Sequence, residues 1–203
     1  MLCFDIGANI GKWTIANKDK YYKIVSIEAA PIVYDKLLIN TNELKNCTCL
    51  NYAVSNNNNE DIIFYFSNTD TISSLNPDWY SNKSRFSNTP YTPIICKSIT
   101  LDKLIEEYGT PDLIKIDVEC GEYSVISSLS KKTPLICFEW AAEMNNIYID
   151  CLEHLRTLGY NEFFVQYEDE YTFTPSKFNT LNEVKEELSK TIDRLDWDMI
   201  WAK

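Results

Sequence analysis

Two periods of apolar residues run along this chain. Short runs rich in β-branched and aromatic residues, over 2–5, 23–28, 47–54, 62–66, 93–98, 135–139, 163–167, 171–174 and 199–202, read as strands. Between them the spacing turns helical. A helix begins near Lys12; a second covers 32–42, led by Pro31, with Val33, Leu37 and Leu38 at helical intervals. A third covers 101–108, capped by Thr100 and stopped by Gly109 and Pro111, and others cover 122–130, 147–158 and 181–192. The stretch 112–122 reads as a buried parallel strand that carries Lys115 and ends in three carboxylates, Asp117, Glu119 and Glu122. Such a break in an apolar pattern clusters at functional sites. Strands and helices alternate throughout, which predicts an α/β protein with a mainly parallel sheet. No internal repeat interrupts the order. Residues 67–92 follow neither period, and a loop of that length in a compact domain reads as a lid or an unsettled surface segment.

Composition narrows the classes. With 203 residues, 45% hydrophobic and 24% charged, the chain is expected to form one globular domain over 1–203. Acidic residues outnumber basic ones 30 to 19, and a net charge of −11 disfavours nucleic acid and anionic membranes as partners. Seven cysteines without a C-x-x-C pair, and a single histidine, disfavour a zinc site or a disulfide framework. The thiols therefore point to a reducing, cytoplasmic compartment. Cys47 and Cys49 fall on one face of a predicted strand, where small buried residues are the ordinary reading. No signal peptide and no apolar run of spanning length occurs. Because the first residues already belong to a core strand, the segment reads either as a minimal domain or as one cut from a longer polypeptide.

The candidate chemistry begins at Leu2-Cys3-Phe4-Asp5-Ile6-Gly7-Ala8-Asn9-Ile10-Gly11-Lys12. A strand, a glycine turn and a helix start read either as an ordinary tight turn or as a nucleotide-type site, in which glycines admit a ligand close to backbone and free N–H groups face an anion. Asp5 is placed to accept a hydrogen bond from a ligand amine. Glu28 follows Gly11 by 17 positions, near the spacing at which such folds set an acid against ribose hydroxyls; the alternative is a solvated strand end. Asp5, Glu28, Asp117 and Glu139 all end predicted strands, so an open parallel sheet would gather them on one rim. Lys115 and Asp117, two apart on a strand, point the same way and either tune a proton acceptor or form a structural ion pair. His154, mid-helix, reads as packed or solvated rather than as a base.

In order along the chain, Asp5-x-Gly7-Ala8-Asn9-x-Gly11, Ser26-Ile27-Glu28-Ala29, Ala53-Val54-Ser55, Ser73-Ser74-Leu75, Thr100-Leu101-Asp102 and Leu113-Ile114-Lys115-Ile116-Asp117-Val118-Glu119 resemble FkbM-type S-adenosylmethionine-dependent methyltransferases. The resemblance implies a Rossmann-like class I methyltransferase fold, a seven-stranded, mostly parallel sheet with its last strand antiparallel. It implies transfer of a methyl group from S-adenosyl-L-methionine to a hydroxyl, commonly on a sugar or polyketide, here taken as a deoxysugar-bearing glycan. By the family pattern Asp5 and Gly7, Ala8, Asn9 and Gly11 hold the methionine portion, Glu28 and Ala29 the ribose, and Ala53, Val54 and Ser55 the adenine edge, with Asp117 beside the cofactor. Asp117 or Glu119 is the expected proton acceptor, supported by Lys115, with Glu139 positioning the acceptor. Trp79, Tyr80, Phe86 and Tyr91 in the 67–92 loop either form a stacking wall for that sugar or pack the loop onto the body. No metal is required, although Asp117, Glu119 and Glu139 are an alternative ligand set for a divalent cation. The family has glycine directly after its D-V-E element, whereas here Cys120 precedes Gly121, which leaves room for a one-residue shift of that turn. A companion glycosyltransferase domain on a longer polypeptide is a further expectation. Two other classes compete: a non-catalytic scaffold of the same fold, and an NAD-dependent dehydrogenase, whose G-x-G-x-x-G is absent.

Overall fold

The computed structural model describes residues 1–81, 84–167, 170–191 and 195–203. In chain order the chain forms β1 (Leu2–Ile6), α1 (Lys12–Asn17), β2 (Lys23–Ile27), α2 (Pro31–Thr41), β3 (Cys47–Leu50), β4 (Ala53–Val54), β5 (Asp61–Ser67) and β6 (Tyr91–Ile99). Then come α3 (Leu101–Tyr108), β7 (Leu113–Ile116), α4 (Glu122–Ile126), β8 (Ile136–Ala141), α5 (Asn145–Thr157), β9 (Phe163–Val165), α6 (Leu181–Ser189) and β10 (Trp197–Ala202). The main sheet has seven strands in the order β3-β2-β1-β7-β8-β10-β9. Its neighbours pair in parallel except β10, which runs antiparallel to both β8 and β9.

Every residue of β1 is buried, because helices and loops cover both faces of the sheet. Alternation sends Phe4 and Ile6 to the larger core, where Ile27, Ile114 and Phe138 meet Leu104, Val125, Leu155 and Val184 from the helices. Each fully buried side chain of this size contributes about 1.5–3 kcal/mol. Cys3 faces the other way, into a smaller cluster with Ile24, Cys137 and Trp201 that Trp13, Phe164 and Phe173 close. Local signals fix the helix ends: the Thr100 hydroxyl accepts the Lys103 N–H at 3.1 Å, and Gly109 stops α3 at φ 93°. Thr180 and Glu183 form a capping box on α6, whose expected last residue, Ile192, lies outside the described residues.

Two expected strands are corrected. The run 47–54 is not one strand: β3 ends the main sheet, while β4 joins a separate three-stranded sheet in the order β4-β6-β5. The Asn51 amide causes the break, donating to the carbonyls of Glu28 (2.8 Å) and Ala29 (3.0 Å) and turning the chain over the rim. Residues 171–174 form a turn and an extended segment outside any ladder; Phe173 alternates inward because it stacks on Phe164 (centroids 5.5 Å apart), not because the backbone pairs. Among the described residues no helix is long and apolar enough to cross a membrane.

Candidate active site at the carboxyl rim of the sheet

Parallel strands β1, β2, β7 and β8 all end on one side, and their ends enclose a cavity of about 400 Å³. On the β1–β2 side its wall is Gly7, Ala8, Asn9, Glu28 and Ala29, with Ala53 and Val54 from β4. Gly7 (φ 74°) and Ala8 both donate to the Ile27 carbonyl at 2.9 Å, which ties the β1 turn to the end of β2. Asn9 also takes the left-handed region (φ 49°), and its N–H donates to Glu28 Oε2 at 3.0 Å. Glu28 Oε1 accepts the Ala30 N–H at 2.9 Å. Burial pushes the Glu28 carboxyl up to about 7, against the pull of the Ala30 and Asn9 N–H groups. With the Ala29 N–H also drawn to it, the carboxylate keeps acceptor capacity for a ligand hydroxyl.

Three expected ligand residues stand behind this wall. Asp5 is fully buried: its carboxylate accepts the Thr14 hydroxyl at 2.6 Å and pairs with Lys115 Nζ at 3.2 Å. The strand alternation points it under α1, so it holds Lys115 rather than meeting a ligand amine. Gly11 (φ 88°) faces α2, where a β-carbon would lie 2.8 Å from Leu37 Cδ1. Ser55 donates its N–H to Ile99 and its hydroxyl accepts the Asn57 N–H at 3.2 Å.

On the β7–β8 side the carboxylates do converge. Lys115 lies between Asp5 and Asp117, 3.2 Å from each, and 3.4 Å from the Gly7 carbonyl. Burial acts to lower the ammonium, but the Asp117 and Asp5 charges outweigh it and hold its pKa above the ordinary lysine value. Carboxylate oxygens of Asp117, Glu119 and Glu139 lie within 4.8 Å of one another. Burial first, and then neighbouring carboxylates, push Glu119 and Glu139 well above the ordinary range. Glu122, just behind, accepts the Val118 N–H at 3.1 Å and is pushed up to about 8, chiefly by burial.

The turn that presents Glu119 is left-handed at two non-glycine residues, Glu119 (φ 55°) and Cys120 (φ 71°). Cys120 itself takes the conformation that suits glycine, and Gly121 (φ −103°) does not, so the turn is not shifted. The 67–92 segment holds it: the Ser74 hydroxyl donates to the Glu119 carbonyl, and Asn76 Nδ2 to that of Cys120 at 3.2 Å. That segment contributes Thr71, Ser73 and Leu75 to the cavity. Its aromatics make no acceptor wall. Trp79 and Tyr80 are buried, Trp79 packs on Phe86 (centroids 5.0 Å apart), and Tyr80 on Tyr91 (4.7 Å). Aromatic faces reach the cavity from elsewhere, at Trp13, Tyr52, Tyr171 and Trp197. Trp13 and Trp197 sit beside known signals, the glycine turn and the last strand; Tyr171 carries none. His154 lies away from the cavity, its Nε2 3.3 Å from the Leu129 carbonyl.

An open α/β sheet with one reversed strand and its ligand cleft at the carboxyl rim is the fold of class I S-adenosylmethionine-dependent methyltransferases. A solved structure agrees on the fold. The chain aligns over its full length with 65% of Aeropyrum pernix fibrillarin in complex with natively bound S-adenosyl-L-methionine, at TM-score 0.50 and 13% identity. It also aligns in full with 80% of a precorrin-6y C5,15-methyltransferase from Geobacter metallireducens GS-15 (TM-score 0.49, 11% identity). No curated protein sequence matches it significantly. The methyltransferase FkbM domain model matches residues 5–169, and the chain belongs to that family.

Proposed function

We propose that this S-adenosylmethionine-dependent methyltransferase acts on a hydroxyl of a sugar, on a deoxysugar-bearing glycan. The observation that carries the reading is the meeting of Asp117, Glu119 and Glu139 on the same cavity as Glu28. An alcohol is a weak nucleophile until its proton is taken, and three clustered acids, one ion-paired to Lys115, supply acceptors for it. When bound, the cofactor supplies a methyl group on a sulfonium, already a good electrophile. Glu28 receives the ribose hydroxyls, and Gly7, Ala8 and Asn9 fit close backbone contact with the methionine portion. Ala29, Ala53 and Val54 make the adenosine wall. Asp117 takes the acceptor proton, Lys115 fixes its carboxylate, and Glu119 and Glu139 hold neighbouring hydroxyls of the sugar. The aromatic faces of Trp13, Tyr171 and Trp197 suit the apolar faces of a pyranose ring.

A second reading draws on the 4.8 Å spacing of the acids. Oxygen ligands crowded enough to raise one another's pKa fit a hard divalent cation, which would lower the acceptor hydroxyl's pKa. Asp117, Glu119 and Glu139 would hold it.

Methyl transfer from labelled cofactor to deoxysugar glycosides, with Asp117→Ala and Glu119→Ala beside the wild type, tests the first reading. Full activity in both variants refutes the proton-acceptor assignment. Activity abolished by a chelator and restored by Mg²⁺ selects the second. Calorimetric titration with S-adenosylmethionine and with NAD separates the enzyme from a scaffold, which binds neither, and from a dehydrogenase, which binds NAD. A companion glycosyltransferase domain on the same polypeptide would fit a glycan acceptor, and the sequence flanking this segment decides it.

A further inference from the structure

Five of the seven cysteines are buried; Cys47 and Cys49, on the edge strand β3, are partly exposed. Their sulfurs lie 3.6 Å apart on one face of that strand. Residues two apart on a strand have Cα atoms about 6.6 Å apart, at the upper end of the roughly 4.4–6.8 Å range of disulfides, and Cβ atoms farther apart than the roughly 3.5–4.5 Å a disulfide holds, so closing the link must buckle β3. Cys49 Sγ is also 3.3 Å from the Thr41 hydroxyl, and Cys47 Sγ is 3.5 Å from the Ser26 hydroxyl.

From Ser26 a line of hydrogen bonds crosses the sheet. Ser26 Oγ is 2.7 Å from Thr14 Oγ1, Thr14 donates to Asp5 Oδ2 at 2.6 Å, and Asp5 Oδ1 pairs with Lys115, which pairs with Asp117. The strand register explains the row, since Asp5 sits opposite Ser26 on one side and Lys115 on the other, and Ser26 opposite Cys49. One proton per hydroxyl sets its direction. Thr14 gives its proton to Asp5, so Ser26 gives its own to Thr14, and the Ser26 oxygen faces Cys47 Sγ.

We propose that Cys47 and Cys49 are a peroxide-oxidisable dithiol, and that closing their disulfide loosens the cofactor cleft through Ser26, Thr14, Asp5 and Lys115. The Cys49 thiol is the attacking one, its pKa lowered to about 7 chiefly by the Cys47 S–H. Cys49 thiolate attacks hydrogen peroxide; an S–O bond forms, the O–O bond breaks, and the departing hydroxide takes up a proton as water. Cys47 sulfur then attacks Cys49 sulfur; the S–S bond forms, the S–O bond breaks, and a second water leaves with the Cys47 proton. Sulfur is oxidised and peroxide reduced, with two thiols and one peroxide giving one disulfide and two waters. Drawing Cys47 Sγ into the disulfide takes it from Ser26 Oγ, and the row that fixes Lys115 beside Asp117 loses its first member.

The test uses the full chain treated with one equivalent of hydrogen peroxide. The expected product is lighter by two hydrogens, with a Cys47–Cys49 link in its peptide map. Its S-adenosylmethionine Kd rises about threefold, the effect of one modest hydrogen bond, and dithiothreitol restores it. In Cys47→Ser and Cys49→Ser no link forms and peroxide leaves the Kd unmoved. In Ser26→Ala the link forms but the Kd no longer responds. A link at other cysteines, or none, overturns the dithiol; a complete link with an unchanged Kd overturns the coupling. The coupling rests on the cofactor assignment above. A reduced protein that fails to bind the cofactor refutes both of these, while the peptide map still decides the dithiol.

Discussion

A β-carbon on Gly7 would lie 1.8 Å from the carbonyl oxygen of Asp117, so the turn after β1 and the turn after β7 touch backbone to backbone. This contact sets the glycine turn directly against the turn that carries Asp117 and Glu119. Gly7→Ala must both separate the turns and hold alanine at φ 74°. The expected cost is on the order of 3 kcal/mol, seen as a lower urea midpoint, with loss of calorimetric S-adenosylmethionine binding. A variant with wild-type midpoint and affinity would show that the two turns part freely.

Lys115 is the only partner that neutralises Asp5 among the described ion pairs, and Asp5 is fully buried. Lys115→Met leaves that carboxylate charged in a dry site, and the expected loss is about 3–5 kcal/mol by denaturant titration. Adding Asp5→Asn removes the stranded charge, so the double variant should recover most of the loss. Equal stability of single and double variants would refute the pairing.

The main elements were legible because each has a local cause. Thr100 caps α3, Pro31 opens α2, and the run 113–116, apolar apart from Lys115, is buried on both faces. Three of the four acids expected at strand ends, Glu28, Asp117 and Glu139, do meet on the cavity, although Glu139 lies inside β8 rather than at its end. Which of them reaches the cavity was not legible. Asp5 and Glu28 end adjacent strands, yet Asp5 falls within β1 and turns under α1, whereas Glu28 lies one residue past β2 and swings into the cleft. The period-2 pattern also reports which face is buried, not which strand pairs; 171–174 alternates by packing Phe173, and 47–54 hides a turn set by the distant Asn51 contacts. Tyr171 reaches the cavity through tertiary packing, its carbonyl accepting from Asn17 at 3.0 Å, and nothing near it in sequence signals that.

Cys120 offers a test in which the usual order of two residues reverses. Alanine and glycine both delete the thiol, so the comparison isolates the backbone at φ 71°. Elsewhere alanine is the more stable; here Cys120→Gly should exceed Cys120→Ala by about 1 kcal/mol in thermal or urea unfolding. Glycine at this position would also restore the residue that the family places after its D-V-E element. The ordinary order would mean that the turn relaxes out of the left-handed region in solution.

Glu28 is expected to link pH to both stability and cofactor affinity, with opposite signs. Its carboxyl titrates near 7 in the folded chain because burial penalises the charge, against an ordinary value of 4.5. Between these values the folded state keeps a proton that the unfolded chain has shed. This contribution to stability is therefore fully present below 4.5 and is lost as pH rises through 7, a change on the order of 3 kcal/mol. Glu122, pushed up to about 8, acts in the same direction, so only the difference between wild type and Glu28→Gln isolates Glu28. The unfolding midpoint of the wild type should fall more steeply from pH 5 to 8 than that of the variant. Cofactor binding runs the other way. Ribose hydroxyls donate to a carboxylate, so the S-adenosylmethionine Kd should rise as pH falls below 7, by up to about tenfold per unit. In Glu28→Gln the Kd should be weaker at pH 8 and lack this inflection near 7. A wild-type affinity that is flat from pH 5 to 8 would remove Glu28 from the ribose, even if the stability slope is as expected.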